Sequence, residues 1–164
     1  MRDAFNFIKK VYGNNAVTVA EVGCSFGNNM VDYSGSFNFT ELALIDIHEH
    51  ACIEIQKRID TSGYSFAGVI NKSSVDAAGM FPDNHFDFIY IDADHSFVAV
   101  TADLNAWYPK VKPGGWILGH DYNFHSTDDN DGVTKAVQQF RYTRQGGLMV
   151  FNDQPQTEFA FRKT

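Results

Sequence analysis

Carboxylates and imidazoles follow two apolar segments in the second half of the chain. Residues 86–91 (FDFIYI) lead into DADH at 92–95, and residues 116–118 lead into GHDY at 119–122. If the two segments are neighbouring parallel strands, their carboxyl ends lie at the same edge of the sheet, so the polar side chains converge there. The converging candidates are Asp92, Asp94, His95, His120 and Asp121.

Two kinds of chemistry suit such a cluster. Several acids at one point repel one another unless a cation offsets their charge, and oxygen-rich sites suit Mg²⁺, Ca²⁺ or Mn²⁺. A histidine with an ordinary pKa of about 6.5 can remove a hydroxyl proton at neutral pH. His95 is the first candidate base, with His120 as its alternative and Asp94 as a further candidate catalytic group. The competing interpretation is a solvated edge at which the histidines only cap or pack against neighbouring structure.

A glycine-containing loop follows the first apolar segment, residues 17–22 (VTVAEV). Its small residues let the backbone turn sharply and approach a ligand closely, and a following helix would offer free N–H groups. A dinucleotide fingerprint needs glycine at its first, third and sixth positions, which here hold Gly23, Ser25 and Asn28, so that interpretation is weak. Asp46, in the second apolar segment, is placed to hydrogen-bond the hydroxyls of an adenosine ribose.

Apolar runs alternate with segments of helical period along the chain. Helices are expected at 97–111, capped by Ser96 and stopped by Pro-Gly-Gly at 113–115, and at 131–144. The alternation predicts an α/β fold with a doubly wound, mostly parallel, seven-stranded sheet that ends in an antiparallel hairpin, as one domain over 1–164. The expected strands are 17–22, 42–47, 66–70, 86–91, 116–118, 148–151 and 159–161, with turn residues at 152–156.

The pattern Glu-x-Gly-x-Ser-x-Gly at 21–27 resembles motif I of the class I S-adenosylmethionine (SAM) methyltransferases, with serine where a third glycine is usual. The segments at 91–95, 112–115 and 119–122 look like those of bacterial small-molecule and sugar O-methyltransferases, which are related to the cation-dependent catechol and caffeoyl-CoA types. The resemblance covers about residues 15–164 and implies a Rossmann-like fold. The cofactor-binding residues that it implies are Glu21, Gly23, Ser25, Gly27, Asp46, Ser73, Ser74 and Asp92.

The same resemblance implies a divalent metal, Mg²⁺ or Mn²⁺, held by Asp92 and by a pair of residues after the fifth strand. That pair is His120 with Asp121, or Asp121 with Tyr122, depending on the alignment. Neither is the Asp-Asp or Asp-Asn pair that is usual in these enzymes, although histidine is a competent ligand for Mn²⁺, Fe²⁺ or Zn²⁺. In the catechol type a lysine base stands where this sequence has His95.

These features predict methyl transfer from SAM to a hydroxyl group of a small molecule or sugar, with assistance from a divalent metal. Two alternatives stay open. The first is an NAD-type dinucleotide-dependent oxidoreductase, which the glycine spacing disfavours. The second is a non-catalytic binding subunit that has kept the methyltransferase fold. This alternative stays open because His120 and Tyr122 depart from the usual metal-binding pair.

Composition narrows the expected partners. The chain of 164 residues carries a net charge of −7 without a cluster of lysines and arginines, which disfavours nucleic acid and anionic membranes. No apolar signal segment follows Met1, and two cysteines cannot build a disulfide scaffold, so we expect a cytoplasmic location. The long N-terminal helices of many resembled enzymes have no counterpart here, so we expect an openly bound small molecule or glycan, or a site completed in a homo-oligomer. An acidic loop at 126–132 is expected to lie over the site.

Overall fold

The structure is a computed structural model that describes residues 2–29, 35–123, 131–144, 147–153 and 156–164. Within these residues, no helix combines the length and the apolar character needed to cross a membrane. The helices are α1 (Asp3–Tyr12), α2 (Glu49–Ser62), α3 (Ser74–Ala78), α4 (Phe97–Trp107) and α5 (Gly132–Tyr142), and a 3₁₀ turn spans Tyr108–Lys110. The strands are β1 (Ala16–Val22), β2 (Asn38–Asp46), β3 (Ala67–Asn71), β4 (Phe86–Ile91), β5 (Val111–Gly119), β6 (Leu148–Asp153) and β7 (Gln156–Arg162).

The described strands form one seven-stranded sheet in the order β3-β2-β1-β4-β5-β7-β6. The first five strands in this order are parallel, β7 is antiparallel to β5, and β6 is antiparallel to β7. The predicted fold class, with its C-terminal hairpin, is therefore confirmed. The strand order reverses between β1 and β4, and in open α/β sheets ligands bind outside the carboxyl ends of the strands at such a switch point.

Both faces of the central strands are buried, which explains why their sequences are apolar almost throughout. On one face, α3, α4 and α5 contribute side chains such as Ala77, Leu104 and Phe140 to a single apolar cluster. On the other face, α1 and α2 contribute residues such as Phe5 and Ile55 to a second cluster. The sheet thus holds its strand ends on a packed, two-sided scaffold.

Two predictions for residues 107–115 are wrong: the position at which the helix ends and the role of the Pro-Gly-Gly sequence. The helix expected to reach Val111 ends at Trp107, because the 3₁₀ turn containing Pro109 follows it and Val111 already belongs to β5. The Pro-Gly-Gly at 113–115 lies inside β5 rather than stopping a helix, and the pairing register with β4 shifts there. Proline lacks the N–H that a ladder needs, so an irregular register accommodates it.

The C-terminal region also differs in detail from the expectation. The hairpin strands are longer than predicted, with Asn152 paired to Thr157 and Asp153 paired to Gln156. Helix α5 spans Gly132–Tyr142 rather than 131–144. Residues 126–130 of the expected acidic loop lie outside the described residues.

Helix α1 was not among the predicted elements, and its start is fixed from far along the chain. The residue at its N-cap, Arg2, makes no side-chain capping bond. Instead, Glu158 Oε2 on β7 accepts a hydrogen bond from the backbone N–H of Ala4 at 3.0 Å. A carboxylate at a helix N-terminus satisfies an otherwise orphaned N–H group and complements the helix dipole. This contact places Arg2 beside the strand ends.

Candidate functional site

A cleft of about 860 Å³ opens at the carboxyl ends of β1 to β4, where the topology predicts a ligand. Most of the predicted cofactor-binding residues line it, whereas Glu21 and Gly27 are not part of its wall. The predicted site residues that line the cleft are Gly23, Ser25, Asp46, Ser73, Ser74, Asp92 and Asp94.

Gly23 holds the loop after β1 against the loop after β4. Its φ is +81°, and a Cβ atom there would lie 2.2 Å from the backbone oxygen of Asp92. Backbone bonds tie the loops together, from Asp92 N to Val22 O at 2.8 Å and from Gly23 N to Ile45 O at 2.8 Å. Only glycine combines this φ with the absence of a side chain. The glycine that motif I requires is therefore a point of close contact between three strand ends.

Asp46 fixes the conformation of the same loop. Its Oδ2 atom accepts from the backbone N–H of Ser25 at 2.7 Å, and its Oδ1 atom accepts from that of His48 at 2.9 Å. Ser25 itself has a φ of +46°, a left-handed conformation that the Asp46 contact accompanies. Each carboxylate oxygen has a second lone pair. Asp46 can therefore accept from a ligand hydroxyl while it holds the loop.

Glu21 and Gly27 contribute to the conformation of this loop without lining the cleft. Glu21 is fully buried, and its Oε1 atom accepts from Asn29 Nδ2 at 2.7 Å. Its Oε2 atom has no hydrogen-bond partner within the described residues. Burial raises the pKa of Glu21 to about 8, against the opposing effect of the Asn29 bond. Gly27, with a φ of +73°, closes a tight turn through a bond from its N–H to Cys24 O at 2.8 Å.

The two serines predicted at the adenine edge are both engaged by neighbouring residues. Ser73 caps α3: its Oγ atom donates to Asp76 Oδ2 at 2.7 Å and accepts from Asp76 N at 3.3 Å. Ser74 Oγ accepts from Trp107 Nε1 at 2.9 Å. These bonds fix the orientation of both hydroxyls at the cleft wall.

Asp103 is a cleft residue that the sequence reasoning missed. It lies on α4, is 4% exposed and lines the cleft. Burial raises the pKa of Asp103, and the nearby Ser74 hydroxyl opposes that rise. A signal was present in the sequence, because Asp103 falls three residues after Val100 and four before Trp107, on the apolar stripe of the predicted helix. An acid on such a stripe is rare unless it has a partner.

The structure brings four of the predicted cluster residues together: Asp92, His95, His120 and Asp121, here called the acid–histidine cluster. His95 lies with Nε2 at 3.5 Å from Asp92 Oδ1 and Nδ1 at 3.2 Å from Asp121 Oδ2. His120 Nδ1 lies 3.5 Å from Asp92 Oδ1 and 3.0 Å from Asp121 Oδ2. Each of the two imidazoles therefore lies within 3.5 Å of both carboxylates.

Mutual pairing shifts the pKa values of the acid–histidine cluster. Burial alone would raise the pKa of Asp92, but its contacts with His120 and His95 and the charge of Arg2 lower it to about 2. Burial alone would lower the pKa of His120, but its contacts with Asp121 and Asp92 raise it to about 9. The contact with Asp92 raises the pKa of His95 as well. At neutral pH the carboxylate of Asp92 thus lies beside a protonated His120.

The backbone after β5 selects between the two predicted pairs. Asp121 has a φ of +54°, so the chain turns sharply at this residue. Tyr122 is buried, its hydroxyl oxygen accepts from Gln138 Nε2 at 3.2 Å, and its N–H donates to Thr157 O at 2.9 Å. The side chain of Tyr122 therefore packs toward α5, and His120 is the residue that lies beside Asp121.

Asp94 lies at the cleft but outside the acid–histidine cluster. It is exposed, and its Oδ1 atom accepts from the backbone N–H of Ser96 at 2.7 Å. This bond lowers the pKa of Asp94. Ser96 in turn caps α4 as predicted, accepting from Ala99 N at 3.3 Å. Asp94 therefore helps to position the start of α4.

Three residues beside the cluster were not predicted. Arg2 Nη1 donates to the Tyr90 hydroxyl at 2.6 Å and lies 3.7 Å from Asp92 Oδ2 and 3.9 Å from Glu158 Oε1. The Tyr90 hydroxyl donates to Glu158 Oε1 at 2.9 Å. Arg2 precedes α1, whereas Tyr90 and Glu158 lie on β4 and β7, and no local pattern in the sequence links them.

Three ligand atoms of the cluster lie close enough to one another to hold a metal ion, with a different histidine from the one expected. Ligand atoms of Asp92, His95 and Asp121 all lie within 4.8 Å of one another. The expected set had His120 in place of His95. Two carboxylate oxygens and one imidazole nitrogen form a donor set that suits a first-row divalent ion such as Mn²⁺. The residues present therefore fit a divalent cation.

Residues 12–122, more than half of the chain, match a family model described as a methyltransferase domain. The chain therefore belongs to the methyltransferase-domain family. A search of curated proteins finds no match to the sequence.

Solved structures agree on the fold and differ in activity. An rRNA methylase from Streptococcus thermophilus has a TM-score of 0.74 at 12% identity, over 98% of this chain and 93% of that one. A SAM-dependent methyltransferase from Aquifex aeolicus has a TM-score of 0.73 at 16% identity, over 98% and 88%. A precorrin-8w decarboxylase from Methanobacterium thermoautotrophicum has a TM-score of 0.74 at 12% identity, over 99% and 90%. The chain thus has the fold of SAM-dependent methyltransferases, and that fold alone does not name the acceptor.

Proposed function

We propose that this protein binds SAM in the cleft and transfers its methyl group to a hydroxyl of a small molecule or sugar. One observation carries the proposal: Asp92 belongs to both halves of the site. Its backbone oxygen packs against Gly23 in the loop of the cleft, and its carboxylate belongs to the acid–histidine cluster. A donor in the cleft would therefore lie directly beside groups that can handle the proton of an acceptor.

The cleft has the dimensions and lining that a nucleoside with an amino-acid tail requires. A volume of about 860 Å³ falls within the range of small-molecule sites. Asp46 provides acceptors for ribose hydroxyls at the end of β2. Three apolar side chains on the cleft wall stay about half exposed or more: Phe26 at 50%, Ile47 at 64% and Val75 at 49%. Exposed apolar surface in a cleft suits the faces of a purine ring.

The chain's own task is to place an acceptor oxygen and to receive its proton. SAM, when bound, supplies an electrophilic methyl group on a sulfonium. His95 lies between Asp92 and Asp121, which orient its ring and raise its pKa, so the neutral imidazole is a stronger proton acceptor than a free one. We assign His95 as the base and keep His120, which contacts the same carboxylates, as the alternative.

A divalent cation fits the same proposal. Asp92 and Asp121 would hold it together with one imidazole, which suits Mn²⁺ better than Mg²⁺. The cation would supply Lewis-acid chemistry that lowers the pKa of an acceptor hydroxyl. If His95 is the third ligand, His120 becomes the base.

The net charge favours an acceptor that is not a nucleic acid. A charge of −7 gives no electrostatic attraction for phosphate backbones. We therefore propose a small molecule or glycan as the acceptor, although one protein of similar fold is described as an rRNA methylase.

A non-catalytic binding module is the second candidate, and a specific observation favours it. Protonated His120 and Arg2 together balance the charges of Asp92 and Asp121 without any added ion. A cluster balanced in this way is stable without a catalytic role. Binding of S-adenosylhomocysteine (SAH) without any turnover of SAM would support this candidate.

The test combines binding and turnover. SAH binding is measured by calorimetry, and SAH release from SAM is measured over a panel of hydroxyl compounds, with and without Mn²⁺. Asp92→Ala and Asp121→Ala should abolish SAH release and keep SAH affinity within about threefold, because both carboxylates act on the acceptor side. Parent-like turnover in both variants would refute the proposed site. Binding of NAD but not SAH would refute the methyl donor itself.

A further inference from the structure

The two oxygens of the Asp92 carboxylate have different partners. Oδ1 lies 3.5 Å from both His95 Nε2 and His120 Nδ1, whereas Oδ2 lies 3.7 Å from Arg2 Nη1. The last torsion of an aspartate side chain has a broad energy profile, so neighbouring groups rather than rotamer preference set the plane of the carboxylate. Arg2 and the two imidazoles therefore determine together where each oxygen points.

The guanidinium of Arg2 is itself held by buried groups. Nη1 donates to the Tyr90 hydroxyl at 2.6 Å, and the central guanidinium carbon lies 5.7 Å from the centre of the Tyr90 ring, where a cation and an aromatic ring attract each other. Nη1 also lies 3.9 Å from Glu158 Oε1, and both Tyr90 and Glu158 are buried. A long side chain that could otherwise sample many rotamers is thus kept in one orientation.

The same two buried residues also fix the main chain next to Arg2. The Tyr90 hydroxyl donates to Glu158 Oε1 at 2.9 Å, and Glu158 Oε2 accepts from Ala4 N at 3.0 Å in the first turn of α1. Tyr90 lies on β4, two residues before Asp92. A closed path of contacts therefore runs from β4 through Arg2 to the carboxylate of Asp92.

We propose that Arg2 is a positioning residue: held by the Tyr90 hydroxyl, it orients the Asp92 carboxylate toward His95 and His120. This inference rests on the proposed function, because it assigns a role in methyl transfer to a residue that acts through Asp92. Arg2 does not line the cleft, so it should affect the transfer step rather than the affinity for the methyl donor. A small displacement of a reacting group is enough to slow such a step strongly.

The first measurement follows the imidazole proton and nitrogen NMR signals of the full chain at neutral pH. Arg2→Met removes the guanidinium, whereas Tyr90→Phe removes only the hydroxyl that holds it and leaves every charge in place. Both variants should shift the signals of His95 and His120, while the signal of His85, at the opposite end of β4, stays at its parent position. Unchanged signals in both variants would overturn the proposal. A shift in Arg2→Met alone would overturn it as well, because the lost charge would then explain the shift.

Turnover gives the second readout, with an acceptor from the panel of hydroxyl compounds. Arg2→Met should lower kcat at least tenfold and keep the KM for SAM within about threefold, and Arg2→Lys should recover part of the loss. Lys10→Met is the matched control, because it removes the same charge from an exposed position on α1. It should keep the kcat and the imidazole signals of the parent. An equal loss of kcat in Arg2→Met and Lys10→Met would contradict a specific role for Arg2.

Stability and donor binding separate this proposal from its alternatives. A lower melting temperature of Arg2→Met without any shift of the His95 and His120 signals would show a merely structural role and overturn the proposal. Failure of the unmodified protein to bind SAH in calorimetry would overturn the proposed function, and the catalytic role of Arg2 with it. The imidazole signals need no bound donor, so they test the contact between Arg2 and Asp92 separately.

Discussion

The two halves of the site are built by different means. At the ends of β1 and β2 the cleft is shaped by backbone conformation: Gly23 allows a contact that no side chain permits, and Asp46 accepts from two backbone N–H groups. At the ends of β4 and β5 the acid–histidine cluster is held by side-chain pairs, and Arg2 joins it from the N-cap of α1. A backbone constraint such as the one at Gly23 can be recognised in the local sequence, whereas charge pairs between residues far apart in the chain cannot.

The largest effect should come from Gly23→Ala, which affects the contact between the halves. The added Cβ would meet the backbone oxygen of Asp92 at 2.2 Å, and alanine disfavours a φ of +81°. We expect a loss of about 2–4 kcal/mol of stability in chemical denaturation and at least a tenfold loss of SAH affinity. Gly35→Ala is the control, because a Cβ there meets nothing within 4 Å. Parent-like SAH binding in Gly23→Ala would contradict the role given to this contact.

Glu158→Ala should disturb the acid–histidine half alone. The carboxylate is 1% exposed and accepts from Ala4 N and the Tyr90 hydroxyl, with Arg2 nearby. Removing one partner of a buried charge network costs about 3 kcal/mol, which urea denaturation would measure. SAH affinity should stay within about threefold, because Glu158 does not line the cleft.

The matched control for that variant is an exposed acid. Glu54→Ala removes a surface ion pair with Lys57 at 2.7 Å and should leave stability unchanged. An equal loss of stability in Glu158→Ala and Glu54→Ala would mean that the buried contacts of Glu158 stabilise the protein no more than a surface ion pair does.

The acid beneath the cleft loop should give a pH-dependent effect. The pKa of Glu21 is about 8 in the folded protein, above the ordinary value of 4.5, so between these values the folded state binds the extra proton. Its contribution to stability therefore falls as pH rises through this interval. Glu21→Gln removes the titration, so from pH 6 to pH 7 the variant should gain about 1.4 kcal/mol relative to the parent. A constant difference across that interval would show an ordinary pKa for Glu21.

The smallest effects should come from the two helix caps, one in each half. Ser73→Ala removes the cap of α3 beside the cleft, and Ser96→Ala removes the cap of α4 next to His95. Each should cost about 1 kcal/mol by thermal denaturation. Ser73→Ala should weaken SAH binding, whereas Ser96→Ala should weaken Mn²⁺ binding, measured by calorimetry. If Ser73→Ala weakened Mn²⁺ binding and Ser96→Ala weakened SAH binding instead, the division of the site into two halves would be wrong.

Sequence reasoning predicted the parallel strands, the C-terminal hairpin and four of the cluster residues. Parallel strands buried on both faces are recognisable as apolar runs, and the residues that follow them necessarily meet at one edge of the sheet. Helix α1 was missed, because its N-terminal contact comes from Glu158 rather than from a local capping residue. Asp103 was missed too, although its place on an apolar helical face offered a signal.

By itself, the sequence determined which side chains gather at the strand ends and that the first loop approaches a neighbour closely. Both follow from local rules, namely the alternation of apolar runs and the conformational freedom of glycine. Only the tertiary structure decided that His95 completes a group of potential ligands with Asp92 and Asp121, that Tyr122 packs toward α5, and that Arg2 reaches Asp92. These outcomes depend on contacts between residues far apart in the chain, and such contacts leave no spacing or period in the sequence.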